Sequence, residues 1–215
     1  MIQGIIFDLD GVLIDSSICH SNAFKTVFAR HGIRDFDYAT YAGQRTPEVV
    51  EEVFRRSGIP LDREVVAQTA LDKSRLARQL LAEREPLAEG CLDILTQLAG
   101  RYSLALATSG SQASLEAFLD LANCRSLFRS LLSGENVTRA KPDPEIYRRS
   151  IEALGISSNC CVVVEDAVAG VEAARLAGAT VVGMTGTCSE KSLYRAGAAH
   201  IIHRLPELPA LLAAL

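Results

Sequence analysis

Four short stretches of this 215-residue chain set polar, chemically capable residues at the ends of apolar runs. The first is "IIFDLDGVL", where Asp8 and Asp10 stand one residue apart after a hydrophobic run and just before Gly11. Two carboxylates that close repel each other and resist ionising together, so the pair needs a compensating cation. A metal ion is the usual one. The second stretch is Thr108-Ser109-Gly110-Ser111, directly after "YSLALA". The third, "RAKPDPEIY", puts Lys141 in a loop ahead of a helix that Asp143 would cap and Pro144 would open. The fourth, "CVVVEDAVAG", ends its apolar run in Glu165-Asp166.

That set suits phosphoryl transfer. A carboxylate can attack phosphorus and form an aspartyl phosphate. Mg²⁺ takes oxygen ligands and readily bridges carboxylates to a phosphate. The transferring group spreads negative charge over its oxygens, so catalysis is largely positioning plus positive charge and N–H donors. Lys141, the Thr108 hydroxyl and the backbone amides of Ser109 and Gly110 at a helix N-terminus would supply those. Each motif alone has an ordinary explanation as a turn, a cap or a solvated loop. Four of them in this order, all at expected strand ends, do not.

The elements that must position them read as strands at 2–7, 103–107, 130–133, 161–164, 179–183 and 200–202. Helical stretches that stop at glycine separate the later strands, as in "IEALGI" and "AARLAGAT". Strands alternating with helices predict an α/β, Rossmann-like parallel sheet with helices on both faces. Ligands bind such sheets outside the carboxyl ends of the strands. Between the first two strands the chain is wholly helical and far longer than one crossover needs. Residues 16–86 are therefore expected to form an inserted α-helical cap domain, with 1–15 and 87–215 as the core domain.

A net charge of −4 and a pI near 5.6 argue against a nucleic-acid binder. No basic run suggests a membrane surface, and no apolar segment approaches the length of a span. The first apolar stretch has no preceding Lys or Arg and is broken by Asp8, unlike a signal peptide. The six cysteines include no C-x-x-C pair, so free thiols in a reducing, cytoplasmic setting are expected. The expected partner is a small-molecule phosphomonoester, taken by a monomer or small homo-oligomer.

The stretches "FDLDGVLIDS", "LALATSGS", "KPDPEIY" and "VVVEDAVAGVEAARLAGATVVGM" resemble the four motifs of the haloacid dehalogenase superfamily. They are most similar to the branch holding sugar-phosphate phosphatases, phosphoglycolate phosphatase and β-phosphoglucomutase. The resemblance implies a Mg²⁺-dependent phosphomonoesterase acting on a small metabolite, such as a sugar or polyol phosphate. It makes Asp8 the nucleophile and Asp10 the general acid/base, which also offers its backbone carbonyl to the metal. Thr108 and Lys141 would hold the phosphoryl group, with Ser109 and Gly110 beside them. Asp166 would be a metal ligand and Glu165 a direct or water-mediated one. Relatives that cleave phosphonates or carbon–halogen bonds typically lack the second aspartate; Asp10 therefore points to a leaving alcohol that needs a proton.

In the cap, His20 shares a face with Phe24 and reads either as a cleft residue or as a packing histidine. Arg45, in "AGQRTPEVV", falls where relatives carry a substrate-reading loop, and Lys73 where they often place another contact. A surface position would explain Arg45 nearly as well, and on its charged helix it explains Lys73 better. The main rival is a phosphomutase of the β-phosphoglucomutase type. Those enzymes commonly carry a serine-arginine pair soon after the glycine matching Gly43, whereas this loop reads Gly43-Gln44-Arg45-Thr46-Pro47. A response-regulator-like phospho-acceptor domain would share the acids, hydroxyl and lysine. It would be much shorter, would lack a cap, and would carry its aspartate on a middle strand.

Overall fold

The computed structural model describes residues 1–84 and 86–215. Six parallel strands form one sheet: β1 (Gly4–Phe7), β2 (Ser103–Ala107), β3 (Phe128–Leu132), β4 (Cys161–Glu165), β5 (Thr180–Met184) and β6 (His200–Ile202). Their order is β3-β2-β1-β4-β5-β6. Strand order reverses at β1, which pairs with β2 on one side and β4 on the other, so the ligand crevice of such a sheet opens at its carboxyl end. Phe7 is in register with both Leu106 and Val164. Asp8, Ala107 and Glu165 therefore stand at one level on adjacent strands, with Thr108 one residue beyond.

Alternation along each strand builds two cores. Ile5, Phe7, Leu104, Leu106, Val162 and Val164 face α4 (Cys91–Ala99), α5 (Gln112–Ala122) and α9 (Leu208–Ala214). Ile6, Ala105, Ala107, Val163 and Val181 face α6 (Glu145–Leu154), α7 (Val168–Leu176) and α8 (Glu190–Ala196). Apolar residues on both faces are what a sheet covered on both sides requires. The α6 helix begins one residue later than its proline suggested: Pro144 sits just outside it, and Asp143 Oδ1 accepts from the Glu145 N–H at 2.9 Å.

The helical insertion contains α1 (Ser17–Ala29), α2 (Thr46–Arg56) and α3 (Arg63–Ala82). It has a core of its own, in which Phe24, Phe28, Phe36 and Phe54 pack with Val49, Val50 and Val53. Chain segments on either side of the insertion meet in an antiparallel bridge between Ile14 and Leu87. The hinge is thus a pair of short extended segments rather than one long linker. Ser16 occupies the N-cap position of α1, yet its side chain makes no cap hydrogen bond. It serves Asp10 instead. All six cysteines are free, and five are buried.

Phe28 is fully buried at the centre of the cap core. Phe28→Ala is expected to lower unfolding free energy by about 3–5 kcal/mol, through lost burial plus a residual cavity. Leu176→Ala, at a half-exposed site on α7, should stay within about 0.5 kcal/mol. Urea denaturation of the two variants against the parent checks both values.

Candidate active site

At the carboxyl end of β1, Asp8 is fixed from behind. Lys141 Nζ donates to Asp8 Oδ1 at 2.6 Å, to Glu165 Oε1 at 2.7 Å and to the Ala107 carbonyl at 3.3 Å. No part of the lysine side chain reaches solvent. Burial alone would strip its proton, but Asp8 and Glu165 outweigh that and hold the ammonium above the usual lysine range. Burial pushes the Asp8 carboxyl up to about 8; Lys141 pulls the other way, while Glu165 and Asp10 add to the rise.

Glu165 is saturated. Its Oε1 also accepts from the Tyr147 hydroxyl at 2.7 Å, and its Oε2 accepts from the backbone N–H groups of Asp166 and Ala167. The close fit needs glycine at 170, where an added Cβ would lie 1.7 Å from Oε1. The fourth carboxylate, Asp166, is likewise driven well above its usual range by burial and by the charges of Glu165 and Asp8. Gly11 meets it at a turn with φ +84, where a Cβ would fall 1.8 Å from Asp166 Oδ2.

Asp8, Glu165 and Asp166 bring oxygens within 4.8 Å of one another in a buried cluster. Three carboxylates share one ammonium there. The imbalance of two negative charges in a dry pocket is what a divalent, oxygen-seeking cation would offset. The donor set fits Mg²⁺.

Asp10 is held from the cap side. Its Oδ1 accepts from the Ser16 hydroxyl and from His20 Nε2, both at 2.8 Å. His20 Nδ1 in turn faces Lys73 Nζ at 2.8 Å. An ammonium can only donate, so Nδ1 accepts and the imidazole proton sits on Nε2, pointed at Asp10. Burial would raise the Asp10 carboxyl, but His20, with help from Ser16 and Lys73, holds it well below the usual carboxylate range. With both donors on Oδ1, Oδ2 is the atom left to face a substrate. Lys73 is buried and lies 4.3 Å from the Phe24 ring centroid; burial lowers it to about 8 against the pull of Asp10.

Thr108 Oγ1 accepts from the Gly110 N–H at 2.9 Å, which leaves its own proton free to donate. The Gly110 amide, expected as a phosphate donor, is thereby committed to Thr108. Ser109 Oγ donates to the Gly43 carbonyl at 2.6 Å and so ties the core to the cap loop.

A cavity of about 530 Å³ lies between cap and core, with Asp8, Asp10, Asp166, Ser109, Gly110, His20 and Lys73 on its wall. Thr108, Lys141 and Glu165 stand directly behind. Arg45, expected as a substrate contact, is not on that wall. Its Nη2 donates to the Val137 carbonyl at 3.1 Å and its Nε lies 3.7 Å from Glu48, so the guanidinium spans cap to core outside the cavity. Sequence reasoning missed Ser16, Tyr147 and Gly170. Ser16 and Tyr147 end the quoted stretches "FDLDGVLIDS" and "KPDPEIY", six residues after Asp10 and Lys141 respectively. That spacing was the available signal.

The profile of the haloacid dehalogenase-like hydrolase family matches residues 5–184. The chain is 32% identical over 203 residues to validoxylamine A 7'-phosphate phosphatase of Streptomyces hygroscopicus subsp. limoneus, covering 91% of this chain and 92% of that one. It is 29% identical to fructose-1-phosphate phosphatase YqaB of Escherichia coli (strain K12), over 81% of this chain and 92% of that one. Among solved structures, CbbY from Rhodobacter sphaeroides in complex with phosphate is 28% identical, with a TM-score of 0.79 over 97% of this chain and 96% of that chain. With its capped parallel sheet and its acids gathered at the strand switch, the chain belongs to the haloacid dehalogenase-like hydrolase family and is a phosphatase of that family.

Proposed function

We propose that this protein is a Mg²⁺-dependent phosphomonoester hydrolase that works through an aspartyl phosphate on Asp8 and acts on a sugar or polyol phosphate. One observation carries the reading: Asp8 is pinned at 2.6 Å by the buried Lys141, while Asp10, two residues on, faces the same cavity from beneath the cap. Relatives named for sugar-phosphate substrates support the choice of substrate. So do Tyr38, Tyr41, Gln44, Thr46 and Ser111, which put hydroxyl and amide groups on the cavity wall near the acids.

In the first half-reaction the Asp8 oxygen not held by Lys141 attacks phosphorus, and the ester P–O bond breaks. Asp10 is ionised in the free enzyme, so its Oδ2 first takes a proton from the monoanionic phosphomonoester, whose charge beside it favours the neutral acid. It then gives that proton to the departing oxygen. In the second, a water molecule loses a proton to Asp10 and attacks the phospho-Asp8 phosphorus. Free phosphate leaves and the Asp8 carboxylate is restored. The free proton of Thr108 binds a phosphoryl oxygen throughout, while Lys141, its three donors taken by Asp8, Glu165 and the Ala107 carbonyl, steadies Asp8 and supplies positive charge from behind. Asp8, Asp166 and the Asp10 backbone carbonyl would hold the metal, with Glu165 positioning Lys141 behind them. When bound, Mg²⁺ supplies positive charge to the acids and to the transferring group.

His20 and Lys73 act through Asp10. They fix its rotamer and place the Nε2–H against Oδ1, so proton exchange falls to Oδ2. They come from the cap, so this arrangement exists only when cap and core are together. Arg45 supports hydrolysis over the mutase reading. A mutase must grip the far phosphate of a bisphosphate, and this guanidinium is engaged with Val137 instead.

Asp8→Asn should lower turnover of p-nitrophenyl phosphate by at least about 10⁴-fold with the circular-dichroism spectrum unchanged. Asp10→Asn should cost about 10²–10⁴-fold. Near-normal turnover in folded Asp8→Asn would sink the nucleophile assignment. EDTA should abolish activity and Mg²⁺ restore it, whereas Ca²⁺, with looser coordination, should inhibit. Full activity in Ca²⁺ counts against this metal geometry.

A pH prediction follows from Lys73. The ammonium is present below about 8 and lost above it, so kcat/KM should fall on the alkaline side with a midpoint near 8. Lys73→Arg keeps its charge at all accessible pH and should move that limb upward. A wild-type profile with no alkaline limb, or one that Lys73→Arg leaves in place, would remove Lys73 from the relay.

A further inference from the structure

The cavity continues past the part a small sugar phosphate would fill. Along α5 its wall runs from Ser114, whose Cβ is 3.8 Å from the ideal Cβ position at Gly110, through Ala117 and Phe118 to Leu121. Seven residues of helix carry that wall roughly 10 Å away from the catalytic loop. Facing it across the cleft, α3 contributes Ala77, Leu81 and Ala82. The character of the lining changes along the way. Near the acids it is hydroxyl and amide; between α3 and α5 it is apolar, and alanine at 77, 82 and 117 leaves it wide. Leu121 stays 57% exposed at its outer end. Past Ser74 and Ser114, a polyol pushed into this lobe would set hydroxyls against alanine, leucine and phenylalanine side chains that offer no partner, which is unfavourable for each unpaired group.

Two arginines border the same lobe. Arg78 follows Ala77 on α3, and neither it nor Arg84 forms an ion pair among the described residues; Arg84 Nη1 makes a weak contact with Cys19 Sγ at 4.0 Å. Neither takes part in the chemistry proposed for Asp8 and Asp10. An apolar channel ending at two uncommitted guanidinium groups complements a ligand with an apolar middle and an anionic end.

We infer that the α3–α5 lobe is a leaving-group subsite, and that the preferred substrate is a phosphorylated polyol extended by an apolar segment ending in an anionic group. This inference rests on the phosphatase reading above and deepens it by naming the class of leaving group. Ala117, Leu81 and Leu121 would take the apolar segment, and Arg78 and Arg84 its anionic terminus.

Three probes with one phosphorylated head test it: glycerol 3-phosphate, its 1-O-hexyl ether and its 1-O-(5-carboxypentyl) ether. Phosphate release should give a kcat/KM at least about tenfold higher for the hexyl ether than for glycerol 3-phosphate, as buried methylenes are taken from water. The carboxylated ether should gain a further severalfold. Ala117→Leu, which fills the lobe, should erase the hexyl gain. The double variant R78Q/R84Q should erase only the carboxylate increment, seen mainly in KM. Turnover of p-nitrophenyl phosphate by R78Q/R84Q reports whether the catalytic centre is intact. Equal kcat/KM for the three probes, or no hydrolysis of any of them, in a protein that turns over p-nitrophenyl phosphate overturns the subsite and leaves the phosphatase reading standing. A folded, Mg²⁺-loaded protein that hydrolyses neither the probes nor p-nitrophenyl phosphate overturns the phosphatase reading itself.

Discussion

A single ammonium group, that of Lys141, sits in a fully buried position between Asp8 and Glu165 at the point where the strand order of the sheet reverses. Removing a lysine from water is costly, and removing three carboxylates with it is worse, so every neighbour of this cluster is constrained. Tyr147 and two backbone amides complete the shell of Glu165, Gly170 gives up its side chain to admit the carboxylate, and small alanines at 105 and 107 leave room for α6 against the sheet. Even so the charges do not balance. A site that folds with an anionic surplus facing a cavity is prepared for a cation and for the phosphoryl group it brings.

The cap extends the same logic from the other side. The insertion has its own aromatic core and joins the rest of the chain through the paired segments at Ile14 and Leu87. What it brings to the core is specific: the Lys73–His20 pair for Asp10, the Gly43 carbonyl for Ser109, and Arg45 for the Val137 carbonyl. Two of these contacts latch backbone to side chain across the cleft. The Lys73–His20 pair fixes the Asp10 side chain, so the contacts that cover the cavity and the contact that orients Asp10 come from the same cap elements.

The cavity has two characters, polar beside the acids and apolar between α3 and α5. The apolar part is built from helix faces rather than from the loops that carry the buried acids.

Much of this was legible in the chain. Period-two and continuous apolar runs gave all six strands to within about two residues, because burial on both faces of a parallel sheet demands them. The order of D-x-D, T-S-G-S, lysine and E-D, each following a strand, placed the chemistry at one sheet edge. The all-helical interval marked the cap. Tertiary structure alone decided where long side chains end. Arg45 and Lys73 looked alike in sequence, each a cation on a cap element, but packing turned one outward to Val137 and buried the other against Phe24 and His20. Ser16, at the N-cap position of α1, gives its hydroxyl to an aspartate six residues earlier instead of to the helix. Glu165 looked like Asp166, yet four donors, from Tyr147 on α6, from the Lys141 loop and from the two amides that follow β4, fixed it against Lys141. Local sequence determines backbone periodicity because its causes lie within a few residues. The direction of a flexible charged side chain depends on partners up to 133 residues away, and only the folded chain brings them together.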